Sequence, residues 1–259
     1  MKKIFPTVTI IVFLLFAGAL NSKAQTSYSA TRGITLKFKG DDGTNGCSVT
    51  WNPGKKVYYA NIAGNEVYPL EMFSESGKNL FAGEAGYDSR GLWYNPSTQK
   101  LEGNGYSDNG IKSYQIEGNG KPGDLSSVFD GAGHQPSDQS VGTYDQAKNQ
   151  IVYFNEGAIC RYNRDNGNSA GIKKLKLKKV NMPDINSTTI VYTGRAGEEF
   201  GLLDYISKTV YLLNEKGKVK AKVILPSDAV THDMFRFSFA NGKIWLYDVD
   251  TRSWTGYTF

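Results

Sequence analysis

Histidine and cysteine occur only twice each in this chain of 259 residues. The two histidines, His134 and His232, reach a metal-ligand set only with carboxylates added, and nothing in their spacing demands a metal. Gly-x-Ser-x-Gly, His-Glu-x-x-His and phosphate-cradling loops are missing, so no familiar catalytic motif is present. The segment Asn163-Arg164-Asp165-Asn166-Gly167-Asn168 carries one carboxylate, too few for a calcium loop. No apolar run reaches the roughly 20 residues of a membrane-spanning helix. The net charge of +5 is mild and comes largely from Lys2, Lys3 and one local lysine run, so nucleic acid is not implied as a partner.

What is present begins with a leader. Lys2 and Lys3 precede an almost wholly apolar Thr9–Leu20, and Ser22-Lys23-Ala24 sets small residues where a signal peptidase cuts. Residues 1–24 are therefore expected to be a signal peptide, with Gln25 first in the exported chain. A retained anchor is the alternative, and no cysteine lies near the cut for lipid attachment. Residues 25–259 are read as one domain without stable membrane insertion, destined for the periplasm, the cell surface or the medium. A monomer is expected.

Glycine (29), tyrosine (16) and phenylalanine (13) are plentiful, as many short strands and tight turns require. The clearest stretch, Phe235–Phe259, reads strand, Asn-Gly turn, strand, turn, strand. Copies run over Cys47–Phe73, Gly91–Glu117, Ser140–Asn163 and Phe200–Leu225. Aligned on the apolar residue that opens each second strand, the anchors are Val57, Leu101, Ile151, Val210 and Ile244, separated by 44, 50, 59 and 34 residues. Such a period suits propeller blades. A three- or four-stranded meander cannot bury both faces alone, and radial packing buries both while leaving only short edges. The expected fold is an all-β, five-bladed β-propeller. A sandwich or irregular barrel is the alternative architecture, and a sixth blade follows if Thr188–Thr193 seeds one.

The segments TVYLLNEKGKVKAKVILP (209–226) and NGKIWLYDVDTRSW (241–254) resemble blades of NHL/YVTN-type β-propellers, and the second is also similar to a kelch blade's Tyr-Asp-turn-Trp ending. The resemblance covers most of residues 47–259 and implies a fold. It carries no activity with it, because such propellers host binding modules, scaffolds and enzymes alike.

The last repeat ends one strand short, at Ser253–Thr258. The spare strand Ile34–Phe38, in which Ile34, Leu36 and Phe38 alternate with polar residues, is expected to complete it and close the ring. Cys47 and Cys160 lie two blades apart, beyond the roughly 7 Å reach of a disulfide, so two free packed thiols are expected.

Candidate functional residues gather in loops read as leading into the inner strands: Asp88 and Arg90; His134, Gln135, Asp138 and Gln139; Arg195, Glu198 and Glu199; His232 and Asp233. Converging acids, bases and cations would form a ligand site; otherwise these are solvated turns. The function expected is an exported binding module for a protein, peptide or glycan, with no cofactor. One alternative is a hydrolase or lyase that uses His134 or His232 with a rim carboxylate. Another is an envelope or surface assembly component that uses a blade edge or the lysine run 171–180, whose simpler role is to defend an edge strand.

Overall fold

A computed structural model describes residues 25–40, 43–64, 67–177 and 180–259. The leader, Asp41-Asp42, Asn65 and Lys178 lie outside the described residues. Two N-terminal strands, β1 (Thr26–Ser29) and β2 (Thr31–Lys37), precede the first blade. Blade 1 holds β3 (Asn45–Asn52), β4 (Val57–Ala63), β5 (Pro69–Ser74) and β6 (Asn79–Glu84). Blade 2 holds β7 (Ser89–Asn95), β8 (Lys100–Gly105), β9 (Ile111–Ile116) and β10 (Pro122–Phe129). Blade 3 holds β11 (Thr143–Asp145), β12 (Gln150–Asn155), β13 (Ala158–Asn163) and β14 (Ser169–Lys174). In blade 4 are β15 (Val191–Tyr192), β16 (Phe200–Asp204), β17 (Thr209–Leu213) and β18 (Val219–Ile224). Blade 5 has β19 (Phe237–Ala240), β20 (Lys243–Asp248) and β21 (Ser253–Thr258) from the C-terminus, and β2 as its outer strand.

That last pairing closes the ring. β2 runs antiparallel to β21, with Leu36 opposite Trp254 and both fully buried. The expected completion of the last blade is therefore present. One strand had no counterpart in the sequence reading: β1 pairs parallel with β18 and gives blade 4 a fifth strand.

The fourth repeat needs correction by one strand. Phe200–Asp204 is the second strand of its blade, and the inner strand is the two-residue Val191–Tyr192. Thr188–Thr193 thus contains the missing inner strand and seeds no sixth blade. With Gly201 as anchor in place of Val210, the spacings of 59 and 34 become 50 and 43. The cause is a turn that changes hairpin. In blades 1 to 3, Asn52, Asn95 and Asp145 end the inner strand, and their Oδ1 atoms accept backbone N–H groups of the next turn. Four residues on, Lys56, Gln99 and Asn149 take positive φ. In blades 4 and 5 the same turn, from Asp204 to Lys208 and Asp248 to Arg252, joins the second and third strands instead.

Between each pair of blades lies an apolar seam. Tyr58, Trp245 and Leu36 fill the one that joins blade 5 to blade 1. The inner strands are also tied by hydroxyls: Thr50 accepts the Tyr94 N–H at 3.0 Å, and Thr143 accepts the Tyr192 N–H at 3.2 Å. Cys47 and Cys160 are buried and unpaired, as expected, and burial pushes the Cys47 thiol up to about 12 against the opposing pull of Arg90.

Candidate functional site

The five inner strands surround an axial channel with two unlike ends. The connections between blades cap the inlet end, and the first-hairpin turns frame the other.

At the inlet end the structure brings Asp88, Arg90 and Gln139 together. The buried Arg90 guanidinium pairs with Asp88 through both terminal nitrogens, and its Nε donates to Gln139 Oε1 at 3.3 Å. The rings of Tyr106 and Phe235 lie 5.0 and 5.5 Å from its Cζ. Beside this group is a cavity of about 220 Å³, also lined by Asn45, Gly64 and Met234. Below it Cys47, Ala63, Val141 and Phe235 form an apolar plug. Phe235 and Arg236 both hold positive φ, 48° and 57°. That conformation costs roughly 1–2 kcal/mol per non-glycine residue and is held by the Thr188 hydroxyl and the Gly46 carbonyl, which accept their N–H groups.

The other expected residues are dispersed. Gln135 is a buried strut whose Oε1 accepts from Asn104 at 2.6 Å. His134 packs on Phe129 and meets the Gly167 carbonyl at 2.9 Å. His232 pairs with Asp233 at 2.8 Å on a partly exposed loop, so the two histidines share no partner. Asp138 is exposed. Arg195, Glu198 and Glu199 sit in the β15–β16 hairpin rather than in a loop leading into an inner strand, because of the one-strand displacement in blade 4. They therefore belong to the opposite end. There Arg195 pairs with Glu198 at 3.1 Å and lies over Tyr28 and Phe259, while Glu199 accepts the Glu215 N–H at 3.0 Å. Among the described residues no group of three or more His, Cys, Asp or Glu is placed to hold a metal ion.

The opposite end is a well of about 290 Å³ lined by all five inner strands. Each strand contributes one aromatic residue at the same register: Trp51, Tyr94, Tyr144, Tyr192 and Phe239 stand opposite Tyr58, Leu101, Ile151, Phe200 and Ile244 of the second strands. Tyr144 is buried and the other four are half-buried. Pro53, Pro96, Gln146, Gly194 and Asn241 form the lip. No Asp, Glu, Lys, Arg or His lines the well. Burial, with Asp145 second, raises the Tyr192 phenol to about 12, and burial also raises Tyr144. Both phenols stay neutral at physiological pH. The sequence does carry a trace of this collar, an aromatic followed by Asn or Asp in Trp51-Asn52, Tyr94-Asn95 and Tyr144-Asp145. It fades at Tyr192-Thr193 and Phe239-Ala240.

Solved structures match this geometry over most of its length. Regucalcin, a calcium-binding protein from Agrobacterium tumefaciens, superposes with a TM-score of 0.54 at 9% identity, covering 90% of this chain and 95% of that one. A structural genomics protein of unknown function from Bacteroides thetaiotaomicron gives 0.53 at 10% identity, over 90% of this chain and 74% of that one. The likeness is one of fold. BamB from Moraxella catarrhalis gives a TM-score of 0.39 at 8% identity, over 89% of this chain and all of that one. No family model matches the sequence, and no curated protein matches it. The strand order makes the chain a five-bladed β-propeller, and the likenesses to the Agrobacterium and Bacteroides structures agree with that fold.

Proposed function

We propose that the protein is an exported binding module that holds a neutral ligand in the aromatic well. The observation that carries this reading is the collar of five aromatics, one per blade at equivalent register, around an uncharged cavity. A volume of about 290 Å³ lies just below the roughly 300–1,000 Å³ typical of small-molecule sites. Aromatic faces bind the apolar side of a ligand, and the peptide groups of the lip bind its hydroxyls. A sugar ring presents both and is the favoured class.

Trp51 is the one half-buried tryptophan of four, the others being buried, so ligand entry should register in its fluorescence. Titration with neutral mono- and disaccharides should give saturable quenching that Trp51→Phe abolishes. Tyr94→Ala should weaken binding roughly tenfold, about 1.4 kcal/mol, from the loss of one aromatic contact. An unchanged affinity in Tyr94→Ala, or no response to any neutral sugar, would remove the well from consideration.

A second reading concerns the inlet end. Asp138 and Asp233 are exposed there and His232 is half-buried, at the same end as the Asp88–Arg90 pair, and dispersed charges on a shallow rim suit a protein partner better than a small ligand. Export rests on the leader; N-terminal sequencing of the mature protein should begin at Gln25.

A further inference from the structure

We propose that the groove between blades 3 and 4 binds an extended acidic peptide of a partner protein, which adds as a strand to the free edge of β14. The groove encloses about 980 Å³. One wall carries Lys173, Lys174 and Lys176, the other Lys216, Lys218 and Lys220. Its floor is apolar, made by Leu175, Leu177, Val180 and Val219 with Tyr211. None of the six lysines has an ion-pair partner among the described residues. Glu215, next to Lys216, is already held by Lys148 and Arg161.

Defence of an open edge explains lysines on β14, which is the outermost strand of its blade. It does not explain Lys218 and Lys220, because β1 already covers the outer side of β18. Two blades therefore direct unpaired cations into one groove, and only one of them has an edge to protect. An extended segment alternating acidic and apolar residues satisfies each feature. Its backbone pairs with the unused N–H and C=O groups of β14, its apolar side chains meet the leucine floor, and its carboxylates meet the lysines. This surface is separate from the aromatic well.

The test is fluorescence anisotropy with a labelled peptide of about eight residues that alternates glutamate and leucine. The comparators are the same peptide N-methylated at alternate amides, its lysine–leucine counterpart, and phosphatidylglycerol vesicles. Saturable binding that weakens with salt, falls roughly tenfold in a Lys174→Glu/Lys218→Glu/Lys220→Glu variant, and is lost on N-methylation is the expected result. The variant should melt as the wild type does, since all three side chains are exposed. Several results would overturn the proposal: no binding, binding indifferent to charge reversal, or equal binding of the N-methylated peptide. Capture by the vesicles alone would overturn it in favour of a lipid surface.

Discussion

The Ser238 hydroxyl grips Val49 at both ends of its backbone, accepting the N–H and donating to the C=O, each at 3.0 Å. The two residues are 189 apart in sequence and lie on the inner strands of the last and first blades. Thr50 and Thr143 make the equivalent tie between blades 1 and 2 and between 3 and 4, but theirs run along the chain, whereas this one joins its two ends. Ser238→Ala leaves two buried peptide groups without a partner, and the cost should be about 1–3 kcal/mol. A urea titration should show a lower midpoint with an unchanged slope. A midpoint equal to that of wild type would show that the inter-blade seam, not the hydroxyl, holds the ring closed.

Blades 2 and 3 are joined differently. Glu102, fully buried, takes two hydrogen bonds of 2.7 Å from Arg164 and others from Trp93, Asn95 and Thr98. Glu102 in turn raises the Arg164 pKa, so the cation is never lost. Arg164→Met removes the positive partner of a buried carboxylate and should destabilise by about 3–5 kcal/mol. Adding Glu102→Gln should recover part of that loss, and calorimetric melts of the single and double variants measure both.

Acid should act through Glu71. Burial raises its carboxyl above the ordinary 4.5, and the Lys39 N–H and Asn79 amide pull the other way. The folded chain therefore holds a proton that the unfolded chain releases, over the interval just above 4.5. Stability from this group is present below that interval and is lost as pH rises through it. Compared with Glu71→Gln, the wild type should gain relative stability as pH falls from neutral to 4.5. Melting temperatures of both proteins across that range check the sign.

The blade architecture was legible because alternation and turn residues report on strands directly. The closing strand was legible because Ile34, Leu36 and Phe38 had no other blade to serve. Blade 4 misled because its turn chemistry sits one hairpin later and its inner strand, Val191–Tyr192, is too short to alternate. The inlet residues drew attention as ionisable groups, yet Arg90 and Gln135 spend their polar atoms on neighbouring protein groups. The well is hidden in the sequence for the opposite reason. Its residues are aromatic and neutral, like those of any seam, and only the shared register sets them apart.

Where the inner strand of blade 2 meets the entry to blade 3, a Cβ on Gly91 would fall within 2.5 Å of the Gly142 backbone nitrogen and the Asn104 side chain. Backbone cannot step aside as a side chain does. Gly91→Ala should therefore destabilise by about 1–3 kcal/mol through overpacking, and it should disturb the well, which Gly142 lines. The expected signature is a lower melting temperature together with an altered Trp51 emission.

The clasp between β2 and β21 also sets the order of events during folding. Thr31 pairs with Thr258, so the longest loop in the molecule closes only when nearly the whole polypeptide is present. Four blades can form from contiguous sequence, but the fifth waits with an unpaired edge until both ends arrive. Contacts so remote in sequence form slowly, and an unpaired edge is where chains stick to one another. Loss of β2 from one end or of β21 from the other opens the same blade, so proteolysis that reaches either strand should produce one common defect.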